Sequence, residues 1–370
     1  MELIQSLITI VLFFAVLGIL VIVHELGHFV TARLANVRVL EFGVGFPPRA
    51  KVLRSRGETL YTLNWLPIGG FVKLEGEDGE GEGDPRSFSS QRLLTRLWIL
   101  VAGVLMNVVL AFLIFTAIAW LATPMVGSQV VEVSPNSPAA TAGLQAGDTI
   151  VAVDGERFRW GGLLGTSSPV GAIATRAGET VVLGIVHEDG TAEDVTVTLR
   201  PPEEITPQNG ALGIIRGDAL LDEYVGQPLP DAIGQGLRET GQALGLIVGG
   251  LGSLVGSVVS DPTAAPPVAG PVGIATQIGD IFWNAGPILT LYVAGILSAN
   301  LAVVNVLPFP PLDGGRMLMI TLKSIFGRRI SLKAEQMTYM VGFVFLFAFL
   351  IWITGFDIVR QLSGGPAPTP

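Results

Sequence analysis

The N-terminal segment constrains the fold more than any other part of the chain. No charged residue occurs from Leu3 to Val23, which matches the roughly 20 apolar residues that a helix needs to cross a membrane. Hydrophobic residues make up 49% of the 370 residues and charged residues only 14%, against about 25% in soluble domains. The segment is longer than a signal-peptide core and no basic residue precedes it, so we expect a retained span in a membrane protein.

Four segments are predicted to cross the membrane as helices, at residues 1–30, 95–122, 284–315 and 336–356. A fifth apolar segment, 232–262, is rich in glycine and is expected to lie along the membrane surface. A crossing there would move the basic loop between the last two spans to the outer side. Lysine and arginine mark the cytoplasmic side, so the charge pattern favours four spans.

The same charge pattern orients the chain. Ten of the 22 lysines and arginines lie between Ala32 and Leu97, so this loop is expected in the cytoplasm. Both termini and the long region between the second and third spans are then expected outside.

Composition excludes several function classes. The net charge is −9. The sequence lacks a basic patch with interleaved aromatic residues, which is the pattern that would indicate a nucleic-acid partner. Cysteine is absent, which excludes disulfides, thiol catalysis and cysteine-ligated zinc.

The first predicted span ends in His24-Glu25-Leu26-Gly27-His28. Residues four apart share one face of a helix, so His24 and His28 can bind one metal ion, with Glu25 beside them as a base. The alternative is a structural histidine pair. In lipid that pair and Glu25 would need separate hydrogen-bond partners, whereas one metal ion satisfies all three groups. With only three histidines in the chain, the spacing favours a zinc site.

A zinc ion held by two histidines needs a further protein ligand. His187 is the third histidine, but it falls in the region predicted outside. Asp313 fits better, because it ends an uncharged run that starts at Ile281 and stands beside the helix-breaking residues 308–315. The alternative for Asp313 is a helix cap at the membrane surface.

Three further segments are predicted from local pattern. Residues 36–75 alternate like short strands and are expected to form membrane-associated β-hairpins. These hairpins could contact the substrate. The alternative is an ordinary sheet on the membrane face without such a role. Residues 76–90 are predicted to be an acidic, solvated linker, and 362–370 a disordered tail.

Together the motifs resemble the site-2 protease family of intramembrane zinc metalloproteases, and most closely its bacterial branch typified by the regulator-of-sigma-E protease. The resemblance rests on HELGH and on the pattern N-x-x-P-x-P-x-L-D-G from Asn305 to Gly314. Further similar segments are 67–73 (PIGGFVK), 102–107 (AGVLMN) and 270–273 (GPVG). Val104 departs from the family pattern, which often has proline there.

The resemblance implies a role for each matching residue. His24, His28 and Asp313 correspond to the zinc ligands and Glu25 to the general base. Residues implied in substrate binding or in shaping the site are Asn305, Pro308, Pro310, Gly69 and Gly70.

Residues 126–201 resemble a circularly permuted PDZ domain, which binds extended peptides at a sheet edge. The implied groove is formed by Ala142, Gly143, Leu144 and Gly147. The alternative is a spacer or plug without a ligand. The expected fold class is thus an α-helical polytopic membrane protein of four transmembrane helices, with a cytoplasmic β-hairpin region and one extracytoplasmic α+β PDZ domain.

The resemblance implies a zinc metalloendopeptidase of the bacterial inner (plasma) membrane that performs regulated intramembrane proteolysis. Its partners would be membrane lipid and single-span membrane proteins, such as trimmed anti-sigma factors or signal-peptide remnants. The alternative is a PDZ scaffold or metal transporter without catalysis. Glu25 favours the enzyme, because a transporter needs metal ligands but no base. The outer PDZ domain is expected to restrict access and to supply no chemistry.

Overall fold

The computed structural model describes residues 2–77, 84–162, 168–206, 209–261, 266–327 and 331–363. The chain forms two compact units. The first combines Met1–Phe115 with Thr240–Pro370, and the second is Thr116–Glu239.

Long helices dominate the first unit. Within the described residues, five helices are long and apolar enough to cross a membrane, which confirms a helical membrane protein. Helices α2 and α5 extend from one unit into the other. The helices are α1 (Glu2–Leu34), α2 (Leu93–Leu121), α5 (Leu229–Ser260), α6 (Pro271–Val306), α7 (Asp313–Phe326) and α8 (Leu332–Ser363). Because α5 meets the same criteria of length and composition, the predicted count of four spans stays a prediction.

The predicted third span, 284–315, is wrong at its C-terminal end, and its start lies beside a break within α6. Helix α6 begins at Pro271 and is interrupted at Gly286, whose φ of 84° lies in the left-handed region that glycine tolerates. It ends at Val306, and Asp313 opens the separate helix α7. Prolines 308, 310 and 311 lack the N–H groups that would continue α6 through this segment. At the C-terminus, residues 362–363 continue α8 instead of starting a disordered tail, and 364–370 lie outside the described residues.

Asp357 on α8 is an acidic residue inside a span-length helix, where a charge is costly without partners. It is 5% exposed, and its carboxylate accepts hydrogen bonds from the backbone N–H groups of Gly270 (3.1 Å) and Gly273 (2.8 Å). These groups belong to the N-terminus of α6, where the helix dipole favours negative charge. Asp357 therefore caps α6 from a neighbouring helix, which explains the GPVG segment.

The loop after α1 forms two long antiparallel strands, β1 (Val39–Arg56) and β2 (Thr59–Leu74). Residues 41–44 have partners on both sides, in 70–73 and in 60–63, while residues 49–56 pair with 59–64 alone. The short strands expected in 36–75 are thus joined into two long strands. Phe46, Trp65 and Leu66 remain 45–71% exposed.

The predicted acidic linker is ordered at both ends, so the prediction for 76–90 is wrong there. Arg38 pairs with Glu75 (2.5 Å) and Asp84 (3.1 Å). Glu77 forms an ion pair with Arg316 on α7, and Phe88 is buried in the core beside α1 and α2. These opposite charges and one aromatic side chain fix the ends, and residues 78–83 lie outside the described part.

The second unit is built on a six-stranded antiparallel sheet in the order β7-β6-β4-β5-β3-β8. Its strands are β3 (Thr123–Val133), β4 (Thr149–Val153), β5 (Glu156–Arg159), β6 (Thr180–Val186), β7 (Ala192–Thr198) and β8 (Ile214–Val225). The unit also has two short helices, α3 (Pro138–Thr141) and α4 (Pro169–Ala174). The hydroxyls of Ser137 and Ser168, the residues before them, cap their N-termini. Because β8 pairs along β3, the predicted domain end at residue 201 is too early.

Asp357 provides a test of this fold. Asp357→Ala removes the acceptor for two N–H groups of α6, and such caps contribute about 1–2 kcal/mol. We expect Asp357→Ala to unfold at a lower temperature than wild type in detergent. The unfolding temperature of Asp357→Asn should lie between those two, because asparagine keeps one acceptor oxygen. Thr354→Ala is the control, since the hydrogen bond of that hydroxyl among the described residues stays within α8, to Leu350. Equal unfolding temperatures for Asp357→Ala and Thr354→Ala would contradict the capping role.

Candidate metal centre

His24, His28 and Asp313 come together at one point in the first unit. The Nε2 atoms of the two histidines are 3.2 Å apart. One carboxylate oxygen of Asp313, Oδ2, lies 2.9 Å from Nε2 of His24 and 3.3 Å from Nε2 of His28. The histidines are 6–7% exposed. Three potential ligand atoms thus form a small buried triangle.

The size of this triangle fits a tetrahedral zinc ion. Zinc binds histidine nitrogen and carboxylate oxygen at about 2.0–2.2 Å, so ligand atoms at tetrahedral angles lie about 3.3 Å apart. The observed separations are 2.9, 3.2 and 3.3 Å. Among the described residues, moreover, Oδ2 of Asp313 is buried and accepts no well-directed hydrogen bond. The histidines approach it at ion-pair distance without N–H groups aimed at it, as expected for atoms that share a cation.

A backbone carbonyl fixes the tautomer of His28. Its Nδ1 lies 2.8 Å from the carbonyl oxygen of Ile99 on α2. A carbonyl only accepts hydrogen bonds, so Nδ1 carries the proton and the neutral ring presents a bare lone pair at Nε2. This is the arrangement by which metal-binding histidines are held in proteins. The contact is invisible in the sequence because any residue supplies a carbonyl.

Helices α1 and α2 approach closely enough for glycine alone to fit at two positions. A Cβ atom at Gly27 would lie 2.4 Å from the carbonyl oxygen of Ala102. One at Gly103 would lie 2.4 Å from His28 Nε2 and 2.8 Å from His24 Cε1. Gly103 therefore gives the two imidazoles their room, which explains the AGVLMN segment that the sequence flagged only by resemblance.

Asp313 reaches the histidines because the chain turns back sharply before α7. A Cβ atom at Gly314 would lie 2.2 Å from the carbonyl oxygens of Val306 and Leu307, and one at Gly315 would lie 2.5 Å from Pro310 N. Two glycines thus let the first turn of α7 pack onto residues 306–310. Asp313 begins α7, but its carboxylate is directed at the histidines, so a capping role alone does not describe it.

Glu25 lies next to the triangle and packs on the end of the β1–β2 sheet. A Cβ atom at Gly70 would lie 3.6 Å from Glu25 Cγ. Within the described residues no hydrogen bond or ion pair engages the Glu25 carboxylate. Gly69, its neighbour, is buried with a φ of 80°. The structure therefore brings Gly70 to the acidic residue predicted to act as base, with Gly69 next to it in the chain.

Other predicted site residues lie near the helix break. Asn305 is half-buried in the last turn of α6, and Pro308 and Pro310 lie in the segment that leads to Asp313. Their roles in substrate binding stay predictions.

His187, the third histidine, belongs to the second unit. Its ring lies 2.8 Å from the carboxylate of Asp148 and 3.4 Å from that of Glu193, and these hydrogen bonds, Asp148 first, raise its pKa above the usual value. It takes no part in the triangle.

The predicted PDZ groove stays a prediction. Leu144 is 4% exposed, and its side chain packs in the core of the second unit. Gly143 and Gly147 occupy turns with positive φ. Ala142 lines a cavity of about 450 Å³ between α3 and the edge strand β7.

Comparison with known proteins agrees with this geometry. Residues 12–349 match the model of Peptidase family M50. A provisionally named zinc metalloprotease of Clostridium perfringens is 33% identical over 92% of this chain and 95% of its own. Another from Clostridium acetobutylicum is 31% identical over 97% and 100%. Zinc metalloprotease RasP of Geobacillus kaustophilus is 29% identical over 96% and 99%.

The chain belongs to peptidase family M50. This is the site-2 protease family, so the resemblance drawn from the motifs is confirmed at the level of the family. The predicted enzyme class, a zinc metalloprotease, is confirmed with it. The apolar helices fit an enzyme embedded in the membrane.

Gly103→Ala tests the close approach of α2 to the histidines. The new methyl group would overlap both rings, so we expect the purified variant to retain well under one zinc per chain by atomic absorption while its helical circular dichroism is unchanged. Gly18→Ala on α1 is the matched control, because its Cβ meets nothing within 4 Å and alanine favours the helix by about 0.5–1 kcal/mol. Full zinc content in Gly103→Ala would show that the rings do not need this space.

Proposed function

We propose that this M50 peptidase hydrolyses peptide bonds within the membrane-spanning segments of other proteins, with His24, His28 and Asp313 as its zinc ligands and Glu25 as its general base. The observation that carries the proposal is the buried triangle of ligand atoms with an uncommitted carboxylate beside it. Its parts come from span-length helix α1 and from the break between α6 and α7. Ionisable groups at such depth mark functional sites.

Zinc held there supplies Lewis acidity to the scissile carbonyl and to the attacking water. Glu25 takes the proton from that water and passes it to the leaving amine. Its position on α1, one residue after His24, keeps the carboxylate beside the ligand triangle. Packing of its stem on Gly70 limits the directions in which the carboxylate can turn.

The substrate is proposed to be a single-span membrane protein that unwinds locally before cleavage. A helix hides its carbonyl groups in its own hydrogen bonds, so an intact substrate helix cannot present one to zinc and Glu25. The proposed holders of an extended substrate strand are the non-helical segment 307–312 with Asn305 before it, and β2 around Gly69 and Gly70. Trimmed anti-sigma factors and signal-peptide remnants are the substrate classes that the family resemblance favours, which would make this a protease of regulated intramembrane proteolysis in the regulator-of-sigma-E branch.

We place the enzyme in the plasma membrane of a bacterium, with the loop of β1 and β2 on the cytoplasmic side, four spans and both termini outside. The basic residues of that loop support this orientation. Exposed Phe46, Trp65 and Leu66 would contact membrane lipid. Helix α5 would then lie along the outer surface.

The second unit is proposed to be a PDZ domain that selects substrates without taking part in the chemistry. All four proposed catalytic and metal-binding residues belong to the first unit. The sheet of the second unit has edge strands β7 and β8, and an extended peptide can add to such an edge. The cavity beside β7 and α3 gives a peptide side chain a place to bind.

A metal transporter is the second candidate, and the polar groups argue against it. A transport path needs ligands at several depths, and the described clusters that fit a metal ion comprise His24, His28 and Asp313 at one depth. Glu25 beside that cluster serves hydrolysis and has no function in simple metal passage.

Glu25→Gln tests the catalytic assignment. The amide is nearly isosteric but cannot accept the proton, so we expect full zinc content and a loss of about 10²–10⁴-fold in the rate of cleavage of a purified single-span substrate. Wild-type enzyme treated with a chelator should lose activity and regain it with zinc. His28→Ala and Asp313→Ala should lose zinc itself. Wild-type rates in Glu25→Gln, or full zinc in both ligand variants, would overturn the proposal.

The role of the second unit is tested by replacing 123–225 with a flexible linker. The deletion includes β8, because ending it at residue 201 would leave β8 without β3, its partner strand in the sheet. We expect unchanged zinc content and unchanged cleavage of a substrate trimmed to a short outer stub, together with new cleavage of an untrimmed one. A folded, zinc-loaded deletion variant that cleaves neither would show that this unit belongs to the catalytic machinery.

A further inference from the structure

Asn107 is a buried polar residue of α2 that the proposed mechanism does not use. Its exposure is 0%. Its amide nitrogen Nδ2 lies 3.3 Å from Nδ1 of His24, on the side of the imidazole ring away from the ligand triangle. Its amide oxygen Oδ1 is buried and has no hydrogen-bond partner among the described residues. A buried amide oxygen without a donor is costly, about 1–3 kcal/mol, so this arrangement needs an explanation.

The state of His24 supplies one. For Nε2 to bind a metal ion, the neutral ring must carry its proton on Nδ1. A protonated Nδ1 needs an acceptor opposite it, and the amide nitrogen of Asn107 is a donor. The oxygen and nitrogen of an amide have nearly the same size, so a half-turn of the Asn107 amide exchanges them. In either orientation, one of the two polar atoms of the amide has no described partner. The protonation of Nδ1 of His24 determines which atom faces the ring: the oxygen if Nδ1 carries a proton, the nitrogen if it does not.

We propose that Asn107 is a positioning residue of the metal centre: its amide oxygen accepts the Nδ1 proton of His24 and so holds His24 in the metal-binding tautomer. The proposal rests on the assignment of His24 as a zinc ligand under the proposed function. Asn107 would then provide Nδ1 of His24 with a hydrogen-bond acceptor, as the carbonyl of Ile99 does for Nδ1 of His28. Outer partners of this kind typically contribute 10–100-fold to metal affinity.

The placement of Asn107 on α2 supports this role. Ile99, Gly103 and Asn107 follow each other at intervals of four and so share one face of the helix. Along that face the carbonyl of Ile99 meets His28, Gly103 leaves room for both rings, and Asn107 meets His24. One face of α2 therefore contacts the outer side of both histidines.

A second contact fixes the backbone at Asn107. The hydroxyl of Ser298 on α6 donates to the Asn107 carbonyl oxygen over 2.8 Å, and Ser298 is fully buried. Among the described residues, the hydroxyl of Ser298 makes this hydrogen bond to the backbone and none to the side-chain amide. It therefore offers a control that alters the same surroundings without touching the proposed hydrogen bond.

The test is the zinc dissociation constant of purified full-length variants, measured by competition with a chromophoric chelator. Asn107→Leu keeps the shape and removes the acceptor, so we expect affinity to fall about 10–100-fold. Asn107→Asp keeps an acceptor in either orientation and should stay within about 3-fold of wild type. Ser298→Ala should also stay within about 3-fold. His28→Ala, which should lose zinc, reports on the underlying assignment of the ligands.

The outcomes separate the two claims. Zinc retained by His28→Ala would overturn the proposed ligand set, whatever Asn107 does. Zinc lost by His28→Ala but bound normally by Asn107→Leu would overturn the role of Asn107 alone. Equal weakening in Asn107→Leu and Asn107→Asp would also overturn it, because the amide would then act as a donor or as packing.

One measurement needs no variant to fold. Wild-type protein labelled with ¹⁵N-histidine and loaded with zinc contains three histidines, and its imidazole nitrogen spectrum reports which nitrogen of His24 is protonated. A proton on Nδ1 is the expected result. An unprotonated Nδ1 in the zinc-loaded protein overturns the proposal.

Discussion

The close contact between α1 and α2 is the constraint on which the metal centre depends. Gly27 and Gly103 bring the two helix backbones together where any Cβ would collide with the opposite helix or with the imidazole rings. Small residues at helix crossings are common in membranes, because packing and hydrogen bonds replace the hydrophobic effect there. In this protein the approach has a chemical consequence. It brings the Ile99 carbonyl and the Asn107 amide within reach of the outer nitrogens of His28 and His24.

Asp313, the third proposed ligand, obeys a different constraint. A continuous helix through Asn305–Gly315 would satisfy its own backbone but would carry Asp313 onward along its axis. Breaking the helix at Val306 and restarting it at Asp313 turns the carboxylate back toward α1. Non-helical backbone at membrane depth is tolerated only when it is buried in protein or lines a cavity. Gly314 and Gly315 of α7 pack closely on residues 306–310. Gly342 of α8 lies equally close, because its Cβ would meet the carbonyl oxygen of Pro310. Protein therefore contacts this segment from both α7 and α8.

The sequence predicted those parts of the metal centre that have a recognisable residue spacing. A pair of histidines spaced by four with a glutamate inside an uncharged run is visible, and so is one aspartate after prolines. The start of α6 at Pro271 was missed because Asp280 interrupts the apolar run, and β8 was missed because its partner, β3, is distant in sequence. The carbonyl of Ile99 cannot be predicted, since every residue has one. The burial of the Leu144 side chain was not predicted, because a resemblance gives the order of residues but not which side of a small domain each one faces.

Two buried aspartates in the first unit show how partners distinguish structure from chemistry. Asp357 and Asp313 lie at opposite ends of α6, each beside a helix N-terminus. Asp357 accepts two backbone N–H groups, so its charge is stabilised and a structural role accounts for it. Asp313 directs Oδ2 at two nitrogens of which at least one, His28 Nε2, presents a lone pair, and lone pairs repel one another without a cation between them. Both residues are aspartates beside a helix N-terminus, so the difference lies in the donors. An acidic group in a membrane helix that lacks donors and faces other potential ligand atoms is the one whose surroundings fit a metal ion.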